Sequence, residues 1–221
     1  MIKDISVVLL GAGKSKRFDA NVLKQNVKIH NKRIIDYSVD FFRKYFNTSE
    51  KYFVINKEIQ LKTHTENEHI LYGSTSRLRS LNNCLNYILK NNLETKYLLV
   101  HDVARPVLDL ADINKIIREI HKKVDGSTLG YPLTNAVKEV KNNTIYYNIH
   151  KSNLWSTFTP QIFKMEKLYH CVRTCLDEKY DVDDDIEALL LNSLKCSMIM
   201  SSPTNIKITY KSDINYIKKL L

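Results

Sequence analysis

Glycine, proline and cysteine are scarce in this 221-residue chain, at 5, 4 and 4 residues, and there is one tryptophan. Cys84, Cys171, Cys175 and Cys196 form no CxxC pair and lack the dense spacing of a secreted disulfide framework, so reduced thiols and a cytoplasmic location are expected. The apolar run Ile5–Leu10 is far shorter than a signal-peptide core with its flanks, and no stretch approaches the roughly 20 apolar residues of a membrane span. No membrane association is expected. Low-complexity tracts, internal repeats and a flexible interdomain linker are also missing. What is present is a 43% hydrophobic fraction, enough for one substantial core, and a single domain over residues 1–221 is expected. The 34 Lys and Arg against 24 Asp and Glu give a formal charge of +10. That favours polyanions: nucleic acid, an acidic membrane surface or phosphorylated metabolites. A nucleic-acid-binding domain would gather its Lys and Arg on one face with interleaved aromatics. Here the charges are dispersed, and no nucleic-acid partner is expected.

Ile5–Leu10 is a continuous β-branched and aliphatic run ending in Gly11-Ala12-Gly13, the pattern of a buried parallel strand breaking into a turn. Ile34, Tyr37, Ser38, Phe41, Phe42 and Tyr45 recur at helical spacing, and residues 51–56 read as a second strand, completing a βαβ unit. The alternation continues with a helix over 78–89, a strand over 97–101, a helix over 113–120 and a strand over 128–131. It predicts an α/β fold: a three-layer, mostly parallel sheet with its ligand site at the carboxyl ends of the strands. From Ala136 to Ile149 the helical rhythm stops, and apolar residues surround an Asn142-Asn143 turn in a hairpin pattern. This segment, 136–150, is expected to project as a β-arm. The chain then returns to the core over 154–163, followed by helices over 165–177 and 186–191, a strand over 197–200, and a terminal strand and helix.

Gly11-Ala12-Gly13-Lys14-Ser15-Lys16-Arg17, followed after seven residues by Lys24-Gln25, is the first group that carries chemistry. Small residues let backbone NH groups approach phosphate oxygens, and a cationic side chain can neutralise charge gathering on a pyrophosphate leaving group. Arg17 and Lys24 suit that role. A dinucleotide GxGxxG and a P-loop GxxxxGK[ST] both fail on these residues. The other reading of the segment is an ordinary strand-to-loop turn with exposed lysines. Asp102 follows a strand and should emerge at the carboxyl edge of the sheet, where one carboxylate can help hold Mg²⁺ beside a triphosphate or simply cap the next turn. His101, alternating with it, points to the opposite face and reads as a packed strand-end histidine.

The opening loop and five further elements in order resemble the 2-C-methyl-D-erythritol 4-phosphate cytidylyltransferase family along almost the whole chain. The family's GxxxRxxS appears as residues 73–80, its VHDAARP as 100–106 and its LWxxxTPQxF as 154–163. Its TDD element appears as Val182-Asp183-Asp184 and its NIKVT as 205–209. The resemblance implies a Rossmann-like nucleotidyltransferase fold and Mg²⁺-dependent transfer of CMP from CTP to the phosphate of a polyol phosphate, releasing pyrophosphate. Residue by residue, it implies catalytic roles for Arg17, Lys24 and Lys207, and a metal contact at Asp102. It places nucleotide contacts at Gly11, Ala12, Gly13, Gly73, Ser74, Ser80, Asp102, Val103 and Arg105. It also implies a homodimer in which the arm crosses a two-fold axis.

Departures cluster on the acceptor. The family's Asp-Thr pair in PxxDTxK is Asn135-Ala136, its arginine before Leu-Trp is Lys151, and the threonine of TDD is Val182. Lysine keeps charge but not the bidentate fork, and valine donates no hydrogen bond. The acceptor is therefore open between 2-C-methyl-D-erythritol 4-phosphate, D-ribitol 5-phosphate and another polyol phosphate. Ala104-Arg105-Pro106 and Leu154-Trp155 favour the first. Arg77-Leu78-Arg79-Ser80 and Thr209-Tyr210-Lys211 give weight to the second. An inactive relative acting as a binding protein is the alternative of another class; retention of Arg17, Lys24, Asp102 and Lys207 argues against it. In the phosphate loop, Ser15 stands where the family has glycine and Leu23 where it has proline, changes expected to loosen the loop.

Overall fold

Apolar runs of five to seven residues build the centre of the sheet, and amphipathic helices cover both its faces. The computed structural model describes residues 4–91 and 93–221. In chain order the elements are β1 (Ile5–Gly11), a 3-10 turn (Lys24–Asn26), β2 (Lys28–Ile29), β3 (Lys32–Arg33), α1 (Ile34–Tyr45), β4 (Lys51–Ile55), β5 (Glu68–Tyr72), α2 (Arg77–Lys90) and β6 (Tyr97–Asp102). There follow α3 (Leu110–Ile120), β7 (Gly126–Pro132), β8 (Val137–Lys141), β9 (Thr144–Ile149), β10 (Trp155–Lys164), α4 (Met165–Asp177), α5 (Asp185–Leu191), β11 (Cys196–Met200) and α6 (Asp213–Ile217).

Seven strands form one sheet in the order β11-β7-β10-β6-β1-β4-β5. β10 runs antiparallel to both its neighbours, whereas the other pairings are parallel. Alternation along β1 explains the three layers. Val7 and Leu9 pack with Ile35, Phe42 and Ile116 of α1 and α3. Val8 and Leu10 pack with Leu81, Leu85 and Leu168 of α2 and α4. A third cluster joins Phe18, Ile29 and Ile34 to Ile208 and Ile217, fastening the carboxyl-terminal segment to the loop after β1.

The arm is a separate two-stranded ribbon, β8 with β9. Asn142 and Asn143 both take left-handed φ, at 49° and 62°, as a two-residue hairpin turn requires and asparagine tolerates.

Three expectations change. The terminal strand does not form: residues 201–209 run without ladder pairing, held instead by single bonds such as Ile208 N–H to Ala104 O at 2.8 Å. β5 was not predicted because it is an edge strand whose Glu68-His69 opening breaks the apolar signal. The β2–β3 ribbon is too short to leave a period. Among the described residues, no helix is long and apolar enough to cross a membrane.

Candidate active site

The carboxyl ends of β1 and β6 open onto a cleft of about 430 Å³, within the range of small-ligand sites. Its wall brings together Gly11, Ala12, Gly13, Lys24, Ser74, Ser80, Asp102, Val103 and Lys207 from the residues expected on sequence, with Lys14, Lys16 and Arg77 beside them.

Close backbone approach builds the floor. A Cβ on Gly73 would sit 2.0 Å from the Ala12 Cβ and 3.0 Å from Ser80 Oγ, and one on Gly11 would meet Val103 Cγ2 at 3.0 Å. The loop before α2 therefore rests on the loop after β1 only because residue 73 is glycine. Gly73 is not itself on the cleft wall; its place in the structure is this close packing. Gly73→Ala is expected to part the two loops, raising KM for nucleotide about tenfold or more, in proportion to a steric cost of ~1–3 kcal/mol. Steady-state kinetics beside a thermal melt would separate this from unfolding. Ser80 Oγ accepts from Ser74 N–H at 2.9 Å and donates to Ser76 O at 2.7 Å, so it braces the loop from beneath.

The loop after β1 is clamped from beneath by Gln25. Gln25, 2% exposed, donates from Nε2 to Gly11 O at 2.8 Å and Gly13 O at 2.9 Å. Ser15 has φ 56°, the conformation that favours the missing glycine. Its hydroxyl offsets that strain by donating to Gln25 Oε1 at 3.2 Å and accepting Lys24 N–H at 3.1 Å. The loop is thus tied, not loosened. The turn that Ser15 starts, with Phe18 and Asp19 N–H donating to Ser15 O, leaves Arg17 exposed. Arg17 is not on the cleft wall, where Lys14 and Lys16 stand, but its charge acts on Lys24.

Charge is concentrated around Asp102. Lys207 Nζ donates to Asp102 Oδ2 at 2.6 Å and Arg77 Nε to Oδ1 at 3.0 Å. Burial alone would raise the Asp102 pKa, but these two cations outweigh it and hold the carboxyl well below its ordinary range. Lys24 Nζ donates to Ile208 O at 2.6 Å. Burial, then the Lys207 charge, lowers Lys24 to about 8. His101 is fully buried, its Nε2 paired with Arg105 O at 3.0 Å and its Nδ1 with Thr159 Oγ1 at 3.2 Å. Burial pushes its pKa down to about 3, so it is a neutral packed histidine, as its alternation predicted.

Arg105 also stands outside the wall. Its Nη1 donates to Asn205 O at 2.8 Å and its guanidinium lies 5.6 Å from the Phe158 ring, so it supports the strand-free segment that carries Lys207. The acceptor candidates are not gathered at the cleft. Lys151 donates to Thr134 O at the arm's base, Ala136 is exposed beside it, and Val182 packs half-buried against the core under α4 and α5.

A family model for 2-C-methyl-D-erythritol 4-phosphate cytidylyltransferase matches residues 5–221. The chain belongs to this family. The cytidylyltransferase of Wigglesworthia glossinidia brevipalpis is 30% identical over 220 residues, covering 96% of this chain and 93% of that one. The Clostridioides difficile (strain 630) relative is 29% identical, covering 98% and 93%. In fold, the chain is similar to the Francisella tularensis 2-C-methyl-D-erythritol 4-phosphate cytidylyltransferase, with a TM-score of 0.86 at 24% identity over 99% of this chain and 100% of that one. As a cytidylyltransferase, the chain is an enzyme of the nucleotidyltransferase class. In this cytidylyltransferase the most informative departures are Ser15, which the clamp accommodates, and Val182, which has become a packing residue.

Proposed function

We propose that the chain transfers CMP from CTP to the phosphate of 2-C-methyl-D-erythritol 4-phosphate, releasing pyrophosphate, as a cytoplasmic enzyme of isoprenoid-precursor synthesis. The observation that carries the reading is the cleft itself: a glycine-built floor for backbone approach to phosphates, with Lys24, Lys207 and one ionised carboxylate on its wall.

An acceptor phosphate oxygen attacks the α-phosphorus in line, forming the new P–O bond as the bond to the β-phosphate bridging oxygen breaks and the electron pair leaves with pyrophosphate. A phosphate dianion needs no general base, and the only histidine beside Asp102 is neutral and turned away. Catalysis then rests on alignment and charge. In this reading Lys24 and Lys207, both on the cleft wall, neutralise the α-phosphate and the leaving group. Apart from its chain neighbours, no atom of the described residues lies within 4 Å of a Cβ position on Gly13, which leaves room for phosphate against its backbone.

Asp102 is the one carboxylate on the cleft wall, and no cluster of three or more His, Cys, Asp or Glu able to hold a metal occurs among the described residues. This suits Mg²⁺, which accepts one carboxylate and completes its shell with phosphate oxygens and water. Bound there, it would offset triphosphate charge.

The acceptor half is incomplete in one chain, because Ala136 and Lys151 lie at the arm. Val140, Ile145, Tyr146 and Tyr147 of the arm are 54–63% exposed. We infer that a second copy covers the arm and completes the acceptor site as a homodimer. The reading is tested by pyrophosphate release from CTP, ATP and GTP in the presence and absence of Mg²⁺. Acceptor-dependent release from CTP with Mg²⁺ supports it; release from none of the three overturns it.

Lys24 sets an expected pH dependence. It is cationic below about 8 and loses its charge as pH rises through that value. Accordingly kcat/KM for CTP should fall above pH 8, while kcat holds to higher pH because bound phosphates raise the lysine's pKa. A Lys24→Arg variant should lose this limb, whatever its absolute rate.

A further inference from the structure

Arg77, the first residue of α2, is held between two carboxylates far apart in the chain. Its Nε donates to Asp102 at 3.0 Å and its Nη1 to Asp185 Oδ1 at 2.6 Å. Asp185 is fully buried and opens α5, directly after the Val182–Asp184 loop. That helix start is itself pinned: Asp184 Oδ1 accepts Glu187 N–H at 2.9 Å, and its Oδ2 accepts Gln161 Nε2 at 2.8 Å. Arg77 Nη2 and Asp185 Oδ2 are buried without partners. A half-satisfied buried ion pair is a poor device for stability, since apolar packing of similar volume does as well or better.

Charge balance supplies the reason for a second acid. Arg77 and Lys207 are the cations that donate to Asp102, and Asp102 and Asp185 are the anions that hold Arg77, so the charges joined by these contacts balance. A nucleotide's phosphates compete with Asp102 for Lys207. When Lys207 turns to them, Asp102, Arg77 and Asp185 together carry one net negative charge; without Asp185 they would carry none.

We propose that Asp185 is a positioning residue acting through Arg77: it takes up the guanidinium's charge, leaving Asp102's charge for a divalent cation on the nucleotide phosphates. The inference rests on the nucleotidyl-transfer reading above. It makes the Mg²⁺ requirement of CTP binding depend on a residue that does not line the cleft.

Calorimetric titration of CTP into the full-length protein, without acceptor and across a Mg²⁺ series, tests it. Asp185→Asn should need about tenfold more Mg²⁺ for half-maximal CTP binding, the order expected for losing one charge a few ångströms beyond a partly buried site. Its CTP affinity in EDTA should be unchanged or tighter. Arg77→Gln should shift the Mg²⁺ midpoint the opposite way, and Asp185→Glu should stay close to wild type. Opposite shifts are not expected from loosened packing, and the Arg77→Gln arm stands even if Asp185→Asn fails to fold. Midpoints that stay at the wild-type value, or that move in the same direction in both variants, overturn the proposal. Wild-type protein that binds no CTP at any Mg²⁺ concentration overturns the nucleotidyl-transfer reading and this inference with it.

Discussion

Replacing Lys24 with methionine is expected to lower kcat/KM for CTP by about 10²–10³-fold, some 3–4 kcal/mol of transition-state stabilisation, while the protein stays folded. The size follows from where the ammonium sits. It is half-buried at the mouth of the phosphate loop, its backbone N–H fixed by Ser15 Oγ and its Nζ by Ile208 O. A charge held in place costs no reorganisation when pyrophosphate departs. Methionine keeps most of the side-chain volume, so the loop bonds of Gln25 to Gly11 and Gly13 should survive. Rapid-mix measurement of pyrophosphate release, with circular dichroism on the same sample, checks both halves. Turnover within a few-fold of wild type would remove Lys24 from the catalytic set.

Asp102→Asn is expected to have a comparably large effect on turnover with an added signature in stability. Arg77 and Lys207 lose the anion they share, and Arg77 is left with Asp185 alone. Breaking a buried ion pair costs about 3–5 kcal/mol. Lys207 is 36% exposed, and solvent screens its share, so about 2–3 kcal/mol is expected here. For a chain of this size that lowers Tm by roughly 5–10 °C. The unpaired cations should also bind metal-free CTP more tightly than wild type does, while Mg²⁺ no longer promotes turnover. Differential scanning calorimetry with and without CTP reads this directly: phosphates should restore more stability to the variant than to wild type. Equal stabilisation of the two would mean that Asp102 does not hold those cations in solution.

Much of this architecture was legible because it is written in local period. Met165–Asp177 forms the predicted helix with the predicted ends, and the Asn142-Asn143 pair makes the turn it signalled. The cleft's glycines and Asp102 were legible because close backbone approach and strand-end carboxylates constrain residue type at short range. What escaped were partnerships across the chain. Arg77 and Asp185 are separated by 108 positions, and neither has a neighbour in sequence that names the other. Gln25 was seen beside Lys24, but its burial under the phosphate loop emerges only once the turn at Ser15 folds back. The terminal strand expected after 197–200 does not form, since residues 201–209 run without ladder pairing. Ile206 and Ile208 of this segment pack into the third cluster instead. Arg17 and Arg105 were assigned to the nucleotide by their place in motifs. Arg17 stands exposed on the turn after Ser15 and Arg105 beneath the Lys207 segment, neither of them on the cleft wall.

Phosphorus-31 NMR of the product formed from CTP and Mg²⁺, with 2-C-methyl-D-erythritol 4-phosphate and D-ribitol 5-phosphate offered in separate reactions, tests the central claim most directly. The account predicts a new diphosphate doublet pair and free pyrophosphate with the first acceptor, at a higher kcat/KM than with the second. A diphosphate product from D-ribitol 5-phosphate alone, or from neither, would contradict it.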